Sequence, residues 1–87
     1  MRYTIEWDPN ALRELALIWD DSLSKRRIAI DKALGDIDRL LRADASSVGE
    51  SRSTPALRWV CVFPVILTVF INDRIQVARI IEARVYD

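Results

Sequence analysis

Apolar positions crowd the last third of the chain. From Leu57 to Tyr86, β-branched and aromatic residues run on, broken only by Pro64 and by Asn72-Asp73. This is the pattern of a strand meander. Asn72-Asp73 suits a two-residue hairpin, because both residues tolerate positive φ. That turn sets Phe70 opposite Ile75, Thr68 opposite Val77 and Ile66 opposite Arg79 on one face. On the other face it pairs Val69 with Gln76, Leu67 with Ala78 and Val65 with Ile80.

Ahead of the meander the period changes. Tyr3, Ile5 and Trp7 alternate with Arg2, Thr4 and Glu6, which predicts a half-buried strand. Asp8-Pro9 then reads as N-cap and first helical residue. Leu12, Leu15, Ala16 and Trp19 follow at helical spacing. Asp20-Asp21-Ser22 is expected to stop this helix and cap the next. The second helix is expected from about Leu23 to Arg42, with Ile30, Ala33, Leu34, Ile37, Leu40 and Leu41 as one apolar stripe. Arg27–Asp31, Lys32–Asp36 and Asp38–Arg42 lie four apart on its solvated face, each pair adding about 0.2–0.5 kcal/mol. Gly35 interrupts the helix, and close approach of the first helix is the expected reason. Residues 43–55 read as a mobile polar loop, with Ser46, Ser47, Ser51, Ser53 and Gly49.

The order is strand, helix, helix, strand, strand, strand. It predicts a single α+β domain over residues 1–87. A two-helix hairpin packs on one face of a small, twisted, mostly antiparallel four-stranded sheet. Two helices with one apolar stripe each cover one face. The other keeps apolar residues set with arginines, and an exposed patch of that kind marks an interaction site. Arg58, Ile66, Thr68, Phe70 and Arg79 are the partner-binding candidates.

Charge narrows the chemistry. Arginine plus lysine and aspartate plus glutamate number 13 each, so the formal net charge is zero. No strongly basic field exists to hold a polyanion, and direct DNA binding is not expected. The apolar run from Trp59 to Ile71 is too short for a membrane helix. No signal peptide is read at the start, and the single cysteine gives no disulfide framework; both fit the cytoplasm. Cys61, between Val60 and Val62, is expected to pack in the core.

The chain has no histidine, which removes the commonest general base and zinc ligand. Neither a metal nor a cofactor is expected: there is no Cys–His set, and Gly35 and Gly49 form no phosphate-cradling loop. The sheet arginines Arg58, Arg74, Arg79 and Arg84 remain. Arg74 flanks the turn and is expected to be solvated. A guanidinium inside an apolar strand needs a carboxylate, phosphate or carbonyl partner. An internal ion pair, with Glu82 or a helix acid, and anion recognition are equally compatible with Arg58 and Arg79.

Three segments carry a family likeness. The opening Tyr3-Thr4-Ile5-Glu6-Trp7-Asp8-Pro9-Asn10-Ala11 resembles the first strand and helix start of RelE/ParE-superfamily toxins. Leu57 to Pro64 resembles their strand with a leading arginine and a trailing proline. Arg79-Ile80-Ile81-Glu82-Ala83-Arg84 resembles their final strand. The order of elements agrees along the whole chain.

The resemblance implies the toxin of a bacterial type II toxin–antitoxin, plasmid-stabilisation-like system. Its partner would be a cognate antitoxin that wraps it, adding helices or a strand. RelE-like members cleave messenger RNA on the ribosome, and ParE-like members inhibit DNA gyrase. The chain departs from the family pattern at Val65-Ile66, where Tyr-Arg is usual, and at Glu82, where histidine is usual. Its lysines are Lys25 and Lys32 alone, so the basic cluster of the nucleases is missing. The leading expectation is therefore a ParE-like toxin that binds a protein. The alternative is a messenger-RNA endonuclease using Arg58, Arg79, Arg84 and Tyr86, with Tyr86 or Glu82 to take the proton. A third reading is a degenerate, non-toxic member that binds antitoxin or forms a homodimer through the open sheet face.

Overall fold

The computed structural model describes residues 2–45, 50–51 and 56–86. Strand β1 (Thr4–Trp7) turns Thr4 and Glu6 to solvent and Ile5 and Trp7 inward. Helix α1 (Pro9–Asp20) starts as the sequence implies, with Asp8 accepting a bond from the Asn10 amide and proline at the first helical position. Its buried positions are Ala11 and Leu15, with Ile18 and Trp19 packed at the core margin. Leu12 faces solvent, where an apolar contact was expected. The small Ala11, fully buried, is the residue turned toward the sheet instead.

Helix α2 (Ser24–Asp44) runs two residues beyond its expected end. Ile30, Ala33, Ile37 and Leu41 of its stripe are buried, whereas Leu40 is exposed. Ser22 does not cap this helix. Its hydroxyl donates to the Ile18 carbonyl at 2.6 Å, and the N-cap residue, Leu23, makes no side-chain capping bond. Asp38 accepts from Arg42 at 2.8 Å as the spacing predicts, while Asp36 pairs with Arg39. Arg27 lies over the Trp19 ring and donates to the carbonyls of Trp19 and Asp20, satisfying the end of α1.

Gly35 is not where α1 approaches. A Cβ built on it meets only the Arg39 guanidinium, at 3.9 Å, an ordinary contact. Its helical backbone tolerates any L-residue, so the glycine costs helix stability without a steric return inside the chain. Gly35→Ala is expected to stabilise the protein by about 0.5–1 kcal/mol, raising Tm by roughly 2–8 °C. A thermal melt followed by circular dichroism reads this directly, and an unchanged or lower Tm contradicts it.

The sheet holds β1, β3 (Leu57–Val62), β4 (Val65–Asn72) and β5 (Val77–Val85), plus a two-residue strand β2 (Glu50–Ser51) at one edge. The spatial order is β1-β5-β4-β3-β2, with β1 parallel to β5 and every other pair antiparallel. The expected architecture is present, with β2 added against Trp59 and Arg58. The polar loop read over residues 43–55 is correspondingly shorter; residues 46–49 and 52–55, with the expected mobility of that loop, lie outside the described residues. Helix α1 packs chiefly on β5, and α2 packs on β3, β1 and β4. The core between these layers contains Val65, Leu67, Val69 and Ile71 of β4, which sits in the middle of the sheet.

The β4–β5 turn is longer than expected. Asn72 pairs with Val77, leaving Asp73 to Gln76 as a four-residue loop. The Asn72 side chain accepts from the Arg74 and Ile75 amides, and Gln76 takes φ 55°. The asparagine thus builds an Asx turn instead of occupying the hairpin tip. Phe70 consequently faces Arg79, four residues beyond the expected Ile75. An even shift keeps every side chain on its predicted face. A bulge opposite Thr68/Val69 then inserts Ile81, so Glu82 pairs with Thr68 and Arg84 with Ile66.

Candidate functional site

Alternation along the strands assigns two rows of side chains to the face away from the helices. Leu57, Trp59 and Cys61 come from β3, and Ile66, Thr68 and Phe70 from β4. Arg79, Glu82 and Arg84 join them from β5. Trp59, Phe70, Ile81 and Tyr86 are all exposed there or at its margin, and among the described residues nothing covers this face. In the β3–β4 turn Phe63 stacks on Tyr86, with ring centroids 6.1 Å apart. The Tyr86 amide donates to the Pro64 carbonyl and its own carbonyl accepts from Arg26, which ties the strand end to α2.

Trp59, Cys61, Ile66, Thr68, Glu82, Arg84 and Tyr86 line a groove of about 540 Å³ on this face. Within it the Thr68 hydroxyl donates to Glu82 Oε1 at 3.2 Å, and Arg84 reaches Glu82 Oε2 at 3.4 Å. The next row is also charged. Arg79 lies 3.1 Å from Asp8 and 3.5 Å from Glu6, and the parallel register of β1 on β5 places Glu6 beside it. Three carboxylates thus face two guanidinium groups. The internal ion pair considered for Arg79 exists, with the strand acid Glu6 and the helix cap Asp8 as its partners, while Glu82 pairs with Arg84, for which no pair was expected.

Of the expected partner-binding residues, Ile66, Thr68, Phe70 and Arg79 share this face. Arg58 does not. It pairs with Val69 on the helix side of the sheet and is half-buried. Its apolar context was visible in the sequence, but its face depends on a register that only the folded sheet defines. Arg84 and Tyr86 line the groove, whereas Arg79 belongs to the neighbouring row. Cys61 is exposed in the groove and is not a core residue, because β3 alternates and Val60 and Val62 take the inward positions. Trp59 was not singled out beforehand. Its place directly between Arg58 and Val60 in an alternating strand is the signal that could have found it.

Asp8 serves both the helix and the open face. Hydrogen bonding from the Asn10 amide, with help from Arg79, holds its carboxyl below the usual carboxylate value. The unfolded chain therefore takes up the proton first as the pH falls. The stabilisation from this group is complete above the unfolded value near about pH 4 and is lost as the pH drops through the folded value. Asp8→Asn keeps a capping oxygen and removes the titration. The wild-type Tm is expected to fall more steeply than that of Asp8→Asn between about pH 5 and pH 2.5. Parallel pH profiles in thermal melts would remove this role for Asp8.

No protein-family model matches the chain, and no curated protein sequence matches it. Solved structures do. The isolated E. coli RelE toxin superposes with a TM-score of 0.60 at 21% identity, over 98% of this chain and 85% of that one. The chain has the RelE toxin fold. The RelE of the intact E. coli RelBE toxin–antitoxin complex gives a TM-score of 0.58 at 21% identity, over 98% of both chains. A RelE mutant in complex with an antitoxin RelBc peptide gives 0.58 at 21% identity, over 100% of this chain and 86% of that one. The order of strands and helices thus agrees with the likeness carried by the opening, middle and final segments of the sequence. Among the described residues no helix is long and apolar enough to cross a membrane, and no cluster could hold a metal ion.

Proposed function

We propose that this chain is the toxin of a bacterial type II toxin–antitoxin pair, acts in the cytoplasm by binding a protein target, and is neutralised by a cognate antitoxin. One observation carries the reading. The open face presents exposed aromatic residues, while its arginines are already matched by Glu6, Asp8 and Glu82. Such a surface favours another protein over a polyanion, since it is apolar and lacks surplus positive charge. DNA gyrase is the target named by the ParE-like reading. Expression in bacteria should arrest growth, and the purified protein should inhibit gyrase supercoiling. Normal growth together with unaffected gyrase would remove the proposal.

The second reading is a RelE-like ribosome-dependent messenger-RNA endonuclease. It is favoured by the convergence of Arg84, Tyr86 and Glu82 in one groove. There Arg84 would hold phosphate, and Glu82 would be the group placed to take a proton. Programmed ribosomes incubated with the protein would then yield cuts within codons that vanish with Arg84→Ala. Intact messenger RNA in that assay excludes the nuclease.

A further inference from the structure

The groove of the open face contains most of what a single nucleotide needs. Trp59 and Tyr86 offer aromatic surface at its walls, Arg84 offers a guanidinium, and about 540 Å³ leaves room for a base and its phosphate. Aromatic stacking combined with a cation is the common recipe for binding single-stranded nucleic acid. The same face nevertheless carries its own anions. Glu82 lies between Thr68 and Arg84, and Glu6 and Asp8 flank Arg79. Among the described side chains the count is two positive groups and three negative ones, a balance of −1.

We propose that Glu82, supported by Glu6, is the specificity determinant that bars single-stranded nucleic acid from this groove and reserves it for a protein. Thr68 fixes the Glu82 carboxylate in the groove, where it occupies Arg84 and repels an incoming phosphate. Glu6 does the same for Arg79 one row away. Neither carboxylate is needed to build the sheet: Glu6 is exposed and Glu82 is half-buried on the open side. The inference rests on the protein-binding reading of this face, but its test does not use the target.

The test is fluorescence anisotropy with a labelled oligouridylate and the full chain. Glu6→Gln combined with Glu82→Gln is close to isosteric, leaves the Thr68 hydroxyl an acceptor, and changes the balance on the face from −1 to +1. Glu14→Gln combined with Asp20→Asn makes the same net change on the exposed side of α1, away from the groove. Wild type is expected to bind weakly. The face variant should gain about tenfold or more in affinity, as expected for a freed guanidinium contacting phosphate. The α1 variant should gain less than about twofold, because a distant exposed charge is largely screened at physiological salt. Adding Arg84→Ala to the face variant should remove most of the gain, leaving only the part carried by Arg79, with circular dichroism confirming the fold of each protein. An equal gain in the α1 variant, no gain in the face variant, or wild-type binding as tight as the face variant would each overturn the proposal. Failure here leaves the growth and gyrase assays untouched, and failure there leaves this result standing.

Discussion

Leu67→Ala is expected to cost about 3–5 kcal/mol, a large part of the roughly 5–10 kcal/mol available to a domain of this size. Leu67 is 1% exposed at the centre of β4, paired with Val60 on one side and Ala83 on the other. It lies beneath α2 and lines a cleft of about 240 Å³ with Ile5, Trp7, Ile37, Leu41 and Ile80. Truncation removes methyl groups from a place already beside empty space. The paired backbones of β3, β4 and β5 hold the floor in position, so collapse cannot recover the lost contacts. The cost should therefore fall in the upper part of the range for leucine truncation. In urea the midpoint should drop by roughly 2 M with the slope unchanged. A drop below about 0.5 M would show that the sheet and α2 close over the site.

The same residue shows how much of the fold was legible. The strand period of two set Val65, Leu67 and Val69 on one face of β4 and Ile66, Thr68 and Phe70 on the other, although the run is apolar at nearly every position. The α2 stripe was legible at a period of 3.6. What the pattern could not reveal was pairing. The two-residue turn at Asn72-Asp73 was a sound local choice. The asparagine side chain instead organises a longer loop, and local chemistry does not say which of the two a given asparagine adopts. The displacement was by four residues, so the faces survived. The bulge at Ile81 was invisible, and it is what brings Glu82 and Arg84 onto the groove face. Without it, alternation from Arg79 would have continued through Ile81 and Ala83.

The candidate site was legible to a comparable degree. An uncovered sheet face was deducible from the shortage of helices, and Ile66, Thr68, Phe70 and Arg79 lie on it. Arg58 and Cys61 were misplaced together. The segment from Leu57 to Phe63 is apolar at nearly every position, so its sequence does not show which set turns inward; the folded strand sends Arg58 inward and Cys61 and Trp59 outward. Glu82 and a helix acid were the partners considered for Arg58 and Arg79; the helix-cap Asp8 does pair with Arg79, but Glu82 pairs with Arg84. Glu82 beside Arg84 follows from the i, i+2 spacing on one strand face, whereas Glu6 and Asp8 beside Arg79 require the parallel pairing of the first strand with the last. That contact spans most of the chain, and no local signal encodes it.

Trp59→Ala is expected to abolish growth arrest while the protein stays folded. On the proposed reading the open face binds by apolar contact, and its largest side chain should dominate the energy. Tryptophan is the residue most enriched among interface hot spots, and truncating one typically costs about 2–4 kcal/mol, or about 30–1,000-fold in affinity. Trp59 is suited to this role because it is 43% exposed before any partner arrives, so much of its surface remains to be buried. Its cross-strand neighbour on β4, Thr68, would lose a packing partner. That loss is worth about 1 kcal/mol or less at a strand position of this kind, within the reserve of the fold. Phe70→Ala, one row away and comparably exposed, should weaken arrest less, because it lies outside the groove. Colony counts after induction, with a thermal melt of each purified variant, separate lost binding from lost folding. Full arrest by a folded Trp59→Ala protein would move the binding surface off this face.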